Sequence, residues 1–145
     1  TSIAMNTSQK INIEIRLNGD LDEIANLAAA LDGFCVEANI NDLAKNQVNL
    51  VLEELYTNSA NYGLVGIPHG QVVINLVVRN NHLEIRYQDN GDAFNPLEME
   101  DPDLMLSVDD RPIGGLGVFF VKAMTDDVTY QRVGDWNQLL MHKKL

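Results

Sequence analysis

Glu54, Asn58 and Tyr62 stand at intervals of four residues, which places a carboxylate, an amide and a phenol along one stripe of a helix. Leu43, Val48, Val51 and Leu55 occupy other directions of the same segment. Asp89-Asn90-Gly91 follows directly on an alternating apolar run, so a carboxylate is displayed where an extended segment ends. Gly114-Gly115-Leu116-Gly117 opens a helical pattern, and glycines there let backbone N–H groups approach an anion at the positive end of a helix. Each segment also has a plain structural reading: a solvated helix face, a turn of good turn-forming residues, and a hinge. The sequence has no G-x-x-x-x-G-K-[ST] phosphate loop and no G-x-G-x-x-G after a strand, so those two nucleotide-binding routes are closed.

The elements that must position these groups follow from periodicity. Ile11, Ile13, Ile15 and Leu17 alternate with polar residues as in a half-buried strand, ended by Asn18-Gly19-Asp20. With Asp20 as the expected cap, Leu21, Ile24, Leu27, Ala28 and Leu31 predict a helix to about Phe34. A longer helix is predicted from near Asn39 or Asn41 to about Asn61, with Gly63 as its stop. Gln71–Arg79 and His82–Gln88 read as strands joined at Asn80-Asn81 in a tight hairpin. Asp89–Arg111 then has little periodicity, three prolines nearby (Pro96, Pro102, Pro112) and seven carboxylates after Asp89: Asp92, Glu98, Glu100, Asp101, Asp103, Asp109 and Asp110. A segment of this length inside a small domain reads as a functional lid or a disordered loop. Gly114–Asp126 predicts a helix, and Val128–Val133 and Gln138–Lys144 predict a closing hairpin around Gly134-Asp135. The order strand, helix, helix, hairpin, lid, helix, hairpin implies an α/β (α+β) sandwich of two layers, a mixed, mainly antiparallel sheet with helices on one face.

Composition limits the functions these elements can serve. A chain of 145 residues has room for one domain, read here as 11–145, with residues 1–10 as a disordered arm or a cloning remnant. Ten basic against 21 acidic residues give a formal charge of −11, which excludes charge-driven binding to nucleic acid or anionic lipid. A single cysteine, Cys35, fits a reducing cytoplasmic setting, and neither a leader nor a membrane-length apolar run is expected. His69, His82 and His142 are scattered without matching carboxylates, so no metal cluster is expected from them. Trp136, Phe119 and Phe120 read as packing residues, and Lys122 as a solvated residue of the last helix or one that reaches phosphate.

Three segments in order, E-E-L-Y-T-N-S-A-N-Y-G at Glu53–Gly63, D-N-G-D-A-F-N-P at Asp89–Pro96 and G-G-L-G-V-F-F-V-K at Gly114–Lys122, resemble the N-box, G1-box and G2-box of the GHKL (Bergerat-fold) ATPases. The resemblance runs from about Ile11 to the end and is closest to small bacterial anti-sigma-factor serine/threonine kinases. It implies ATP and Mg²⁺ as cofactors, with Asn58 ligating Mg²⁺, Asp89 accepting from the adenine amino group and Gly91 leaving space for the base. Gly114, Gly115, Leu116 and Gly117 would form the phosphate side, Glu54 would be the catalytic base, and Asp92–Ile113 would be the lid. Tyr62 stands where many relatives have His, and Asn137 about where a Thr near the base pocket is common; both are carried over as nucleotide-binding, as is Arg111 ahead of the glycines. The implied partners are a sigma factor and a STAS-fold antagonist that is phosphorylated, with a homodimer by analogy only. Two further readings stay open: a GHKL-fold binding module without phosphoryl transfer, suggested by the acidic lid, and a detached histidine-kinase catalytic domain.

Overall fold

Alternating side chains make Ile11–Leu17 a strand, β1, in the computed structural model, which describes residues 10–98 and 115–145, the side chains of 115–118 excepted. The arm read over residues 1–10 lies outside the described residues except for the exposed Lys10, as do most of the acidic segment, Arg111 and Gly114. The strand is followed by α1 (Ile24–Glu37) and α2 (Asp42–Asn58), then by the hairpin β2 (Val72–Arg79) and β3 (His82–Asp89). Helix α3 (Gly115–Met124) precedes a second hairpin, β4 (Asp127–Val133) and β5 (Trp136–Lys144). The five strands form one sheet in the order β1-β2-β3-β5-β4, and all four pairings are antiparallel.

Period-2 patterning assigns the two faces. Ile15, Leu17, Val72, Ile74, Leu76, Val78, Leu83, Ile85, Tyr87, Leu139 and Met141 point to one side and share a core with Leu27, Leu31 and Phe34 of α1, Val48 to Tyr56 of α2 and Val121 of α3. The helices therefore cover one face, as the two-layer expectation requires. The other face carries Glu14, Arg16, Asn75, Glu84 and His142, which water can solvate, together with the partly buried Arg86.

Local chemistry sets the ends of the elements. Asn80 and Asn81 both adopt positive φ, 53° and 62°, which closes the two-residue β2–β3 turn in the geometry that matches strand twist. Asn41 caps α2, its side chain accepting from the Ala44 N–H at 2.8 Å. Asp20 does not cap through its side chain; a short 3₁₀ turn at Leu21–Glu23 intervenes, α1 starts three residues later than the spacing predicts, and the Asp20 carbonyl accepts from Tyr56 OH at 2.7 Å. Leu43, read as part of the apolar helix pattern, is 69% exposed because α2 turns it away from the core. The helix predicted to run to Asn61 instead widens after Asn58 into a single π-turn, Ser59–Gly63, closed by the Leu64 N–H on the Ser59 carbonyl at 2.8 Å. No described helix is long and apolar enough to cross a membrane.

Candidate functional site

Asp89 is the last residue of β3 and lies directly across from Asn137 on β5. Tyr87, two residues earlier, shares its inward face, and the π-turn carries Ser59 over both. Ser59 is 4% exposed; its Oγ donates to Asp89 Oδ2 at 2.9 Å and lies 2.7 Å from Tyr87 OH. The serine proton is committed to the carboxylate, so the phenol is the donor in the second bond, giving a directed chain from Tyr87 to Ser59 to Asp89. Burial, first of all, pushes the Tyr87 phenol well above its ordinary value, which keeps it a neutral donor.

The other carboxylate oxygen is occupied from the opposite side. Asp89 Oδ1 accepts from Gly91 N–H at 3.1 Å and from Asn137 Nδ2 at 2.9 Å. A carboxylate has about four acceptor positions, two per oxygen, so the described residues fill Oδ1 and leave one position on Oδ2. A ligand that donates a hydrogen bond has a place to put it.

Asp89 lines a cavity of about 300 Å³. Leu55, Asn58 and Tyr62 line it from the helix side, Tyr130 and Leu139 from the sheet, and Phe94 and Pro96 from the segment after β3. An apolar enclosure with a few convergent polar groups is the usual make-up of a small-molecule site. The start of the segment after β3 is fixed by backbone contact: a Cβ on Gly91 would stand 2.3 Å from the Gly63 carbonyl oxygen, so only glycine lets the strand end pass the π-turn. Arg132 Nη1 donates to the Gly91 carbonyl at 2.8 Å and holds the same place from β4.

The site residues read from the sequence fall into three groups. Asn58, Tyr62, Asp89 and Asn137 line this cavity, whereas Gly91, read as leaving space for the base, does not line it and packs against the Gly63 carbonyl. Glu54 does not line it but sits one helical turn before Asn58, partly buried, and that burial, followed by the neighbouring Glu53, raises its carboxyl above the usual range. Gly115, Leu116 and Gly117 form the first turn of α3, whereas Arg111 and Gly114 lie outside the described residues. Among the described residues no three His, Cys, Asp or Glu side chains converge as a metal cluster.

Ser59, Tyr87, Tyr130, Phe94 and Arg132 were not singled out from the sequence as site residues. Two had signals: Ser59 adjoins Asn58, and Tyr87 precedes Asp89 by the two residues that put both on one face. Tyr130 and Arg132 reach the site only through strand pairing across β4 and β5, which no local pattern announces.

Comparison with known proteins agrees with this geometry. A family model described as the histidine kinase-like ATPase domain matches residues 17–143. The serine-protein kinase RsbW of Listeria monocytogenes serotype 4a (strain HCC23) is 26% identical over 129 residues, spanning 82% of this chain and 77% of that protein. The serine/threonine-protein kinase BtrW of Bordetella bronchiseptica is 28% identical over 96 residues, 65% of this chain and 66% of that protein. Among solved structures, the RsbU and RsbW domains of Rv1364c from Mycobacterium tuberculosis superpose with a TM-score of 0.67 at 11% identity, covering 92% of this chain and 32% of that one, a likeness of fold. With the boxes in order, the antiparallel sheet under three helices and a match over nearly its whole length, the chain belongs to the histidine kinase-like ATPase domain family.

Proposed function

We propose that residues 11–145 act as one unit that binds Mg-ATP over Asp89 and transfers its terminal phosphoryl group to a Ser or Thr of a STAS-fold antagonist, so governing sequestration of a sigma factor in the cytoplasm. The observation that carries this reading is the acceptor position that the described residues leave on Asp89 Oδ2, in a carboxylate that lines an apolar cavity. Adenine is flat, with apolar faces and one exocyclic amino donor on a polar edge, so the residues present fit it. The kinase names of the relatives at 26% and 28% identity support the reaction class.

Bound ATP would supply the phosphoryl group and Mg²⁺ would neutralise its charge. Asp89 Oδ2 accepts from the base, while Leu55, Leu139 and Tyr130 exclude water around it. The Asn58 side-chain oxygen is the cation ligand, which suits a metal that takes few protein ligands and shares substrate phosphates. Backbone N–H groups of Gly115 and Gly117, in the first turn of α3, face the phosphates. Glu54 takes the proton from the attacking hydroxyl, and burial, which raises its proton affinity, makes it a stronger base than an exposed carboxylate. A second reading, a binding module that holds nucleotide without transfer, is favoured by the seven carboxylates between Asp92 and Asp110.

Thermal unfolding with and without Mg-ATP tests the site. Saturation at 100 times Kd adds about 2.7 kcal/mol, a rise of several degrees that Asn58→Ala should reduce. Glu54→Ala should keep the shift and lose transfer to a STAS-fold substrate by about 10²- to 10⁴-fold. Absence of any shift in the wild type would overturn the nucleotide reading; a shift without transfer in the wild type would favour the second.

A further inference from the structure

The amide of Asn137 spends its whole hydrogen-bonding capacity inside the chain. One Nδ2 proton goes to Asp89 Oδ1 at 2.9 Å and the other to the Asp92 carbonyl at 2.8 Å. Its Oδ1 accepts from the Phe94 N–H at 3.0 Å and from Tyr130 OH at 2.6 Å. Two donors and two lone pairs are thereby used, so nothing is left for a ligand. The residue read from the sequence as touching nucleotide instead grips two things at once: the carboxylate at the cavity floor and the backbone of residues 92–94. Phe94, 56% exposed, forms part of the cavity wall.

Resting on the nucleotide reading, we propose that Asn137 is a positioning residue that makes orientation of Asp89 and seating of the Phe94 wall one event. The planar amide carries the coupling, because its two N–H groups diverge at a fixed angle and neither acceptor can move without disturbing the other. A base that donates to Asp89 Oδ2 holds the carboxylate still, and this steadies Asn137 and the strap beyond it. Linkage makes the effect reciprocal: the factor by which base binding steadies residues 92–94 is the factor by which ordering those residues strengthens base binding. The hydroxyl of a threonine at this position would have one proton for the two acceptors, Asp89 and the Asp92 carbonyl, and could not hold both.

The test pairs two readouts across variants: exchange of the Phe94 amide hydrogen, and the ratio of affinities for Mg-ATP and Mg-purine-riboside triphosphate, which differ only by the amino donor. The wild type is expected to prefer ATP by about ten- to hundredfold, the value of a hydrogen bond to a charged group. In Asn137→Ala the Phe94 amide should exchange about five- to tenfold faster without nucleotide, and the ATP preference should fall to about threefold or less. Amides at the centre of β3, such as Ile85, serve as the control for an intact sheet. Asn137→Thr and the milder Tyr130→Phe should fall between, with both readouts moving together; they keep the test alive if the alanine variant does not fold. Fast Phe94 exchange with undiminished ATP preference, or the reverse, overturns the coupling while leaving the nucleotide site intact. A wild type that binds neither nucleotide removes the nucleotide reading itself, and the coupling with it.

Discussion

Strands β3, β5 and β4 carry a polar triplet at each end of the same ladder: Asp89, Asn137 and Arg132 across one end, Glu84, His142 and Asp127 across the other. Each contains carboxylate and nitrogen in direct contact, 2.9 Å for Asn137 on Asp89 and 2.7 Å for His142 Nδ1 on Asp127. They differ in the face they use. Odd-numbered β3 positions point under the helices and even-numbered ones point to water, so the Asp89 end is enclosed and the His142 end is solvated. In the partly enclosed cluster a donor removed leaves a partner with less access to water, whereas water replaces what is lost in the solvated one. One strand pair thus yields a site with fixed acceptor geometry and an ordinary surface ion pair from nearly the same residue types.

The contrast breaks most sharply at Asp89. Asp89→Ala should abolish the Mg-ATP shift and also lower stability by about 2–4 kcal/mol in urea unfolding, because Ser59, Gly91 and Asn137 all lose their acceptor. A loss below about 1 kcal/mol would mean that water enters the cluster and that it is not enclosed. Tyr87→Phe should cost about 1–2 kcal/mol while preserving the nucleotide shift, since the open position on Oδ2 survives.

The solvated end responds to pH instead. The hydrogen bond to Asp127, chiefly, raises the His142 pKa, with Glu84 3.5 Å from Nε2 acting in the same direction. A histidine raised in the folded state adds stability that is complete below the ordinary value of about 6.5 and disappears as pH rises through the folded value. His142→Gln should therefore lower the urea midpoint at pH 5.5, by an amount worth about 0.5 kcal/mol, and leave it unchanged at pH 9. The smallest effect is at Glu54, whose raised carboxyl pKa means that the charged form is disfavoured by folding. Glu54→Gln should stabilise by less than about 0.5 kcal/mol at pH 7 and by nothing once pH falls below the ordinary carboxylate range, where both side chains are neutral.

Period and turn chemistry made much of the fold legible. The Ile11–Leu17 alternation, the Asn80-Asn81 turn and the Gly134-Asp135 turn each encode their structure within a few residues. Two features were not legible in that way. The π-turn after Asn58 replaces an expected helical continuation, and nothing in Ser59–Gly63 distinguishes a wide turn from a regular one until the end of β3 packs against it. The second is the division of labour around Asp89: Asn137 is reached only through the family resemblance, about where a Thr is common, and that its amide is saturated depends on Tyr130, Asp92 and Phe94, which strand pairing and the chain reversal after β3 deliver. Local spacing and the family resemblance nominated candidate residues, and long-range geometry sets which of their atoms the described residues already pair.

The close pass between Gly91 and Gly63 has an unequal consequence for how the chain can vary. The two residues share one contact, yet a side chain at 91 would collide with a backbone oxygen, while a Cβ at 63 would meet only Asp89 Oδ2 at an ordinary 3.8 Å. Position 91 is therefore closed to substitution by folding itself. Position 63 is open to folding but borders Asp89 Oδ2 and lines the cavity, so changes there fall on what the cavity admits. In a saturation scan the first glycine would register in protein abundance and the second in ligand choice: neighbours in space, subject to different kinds of selection.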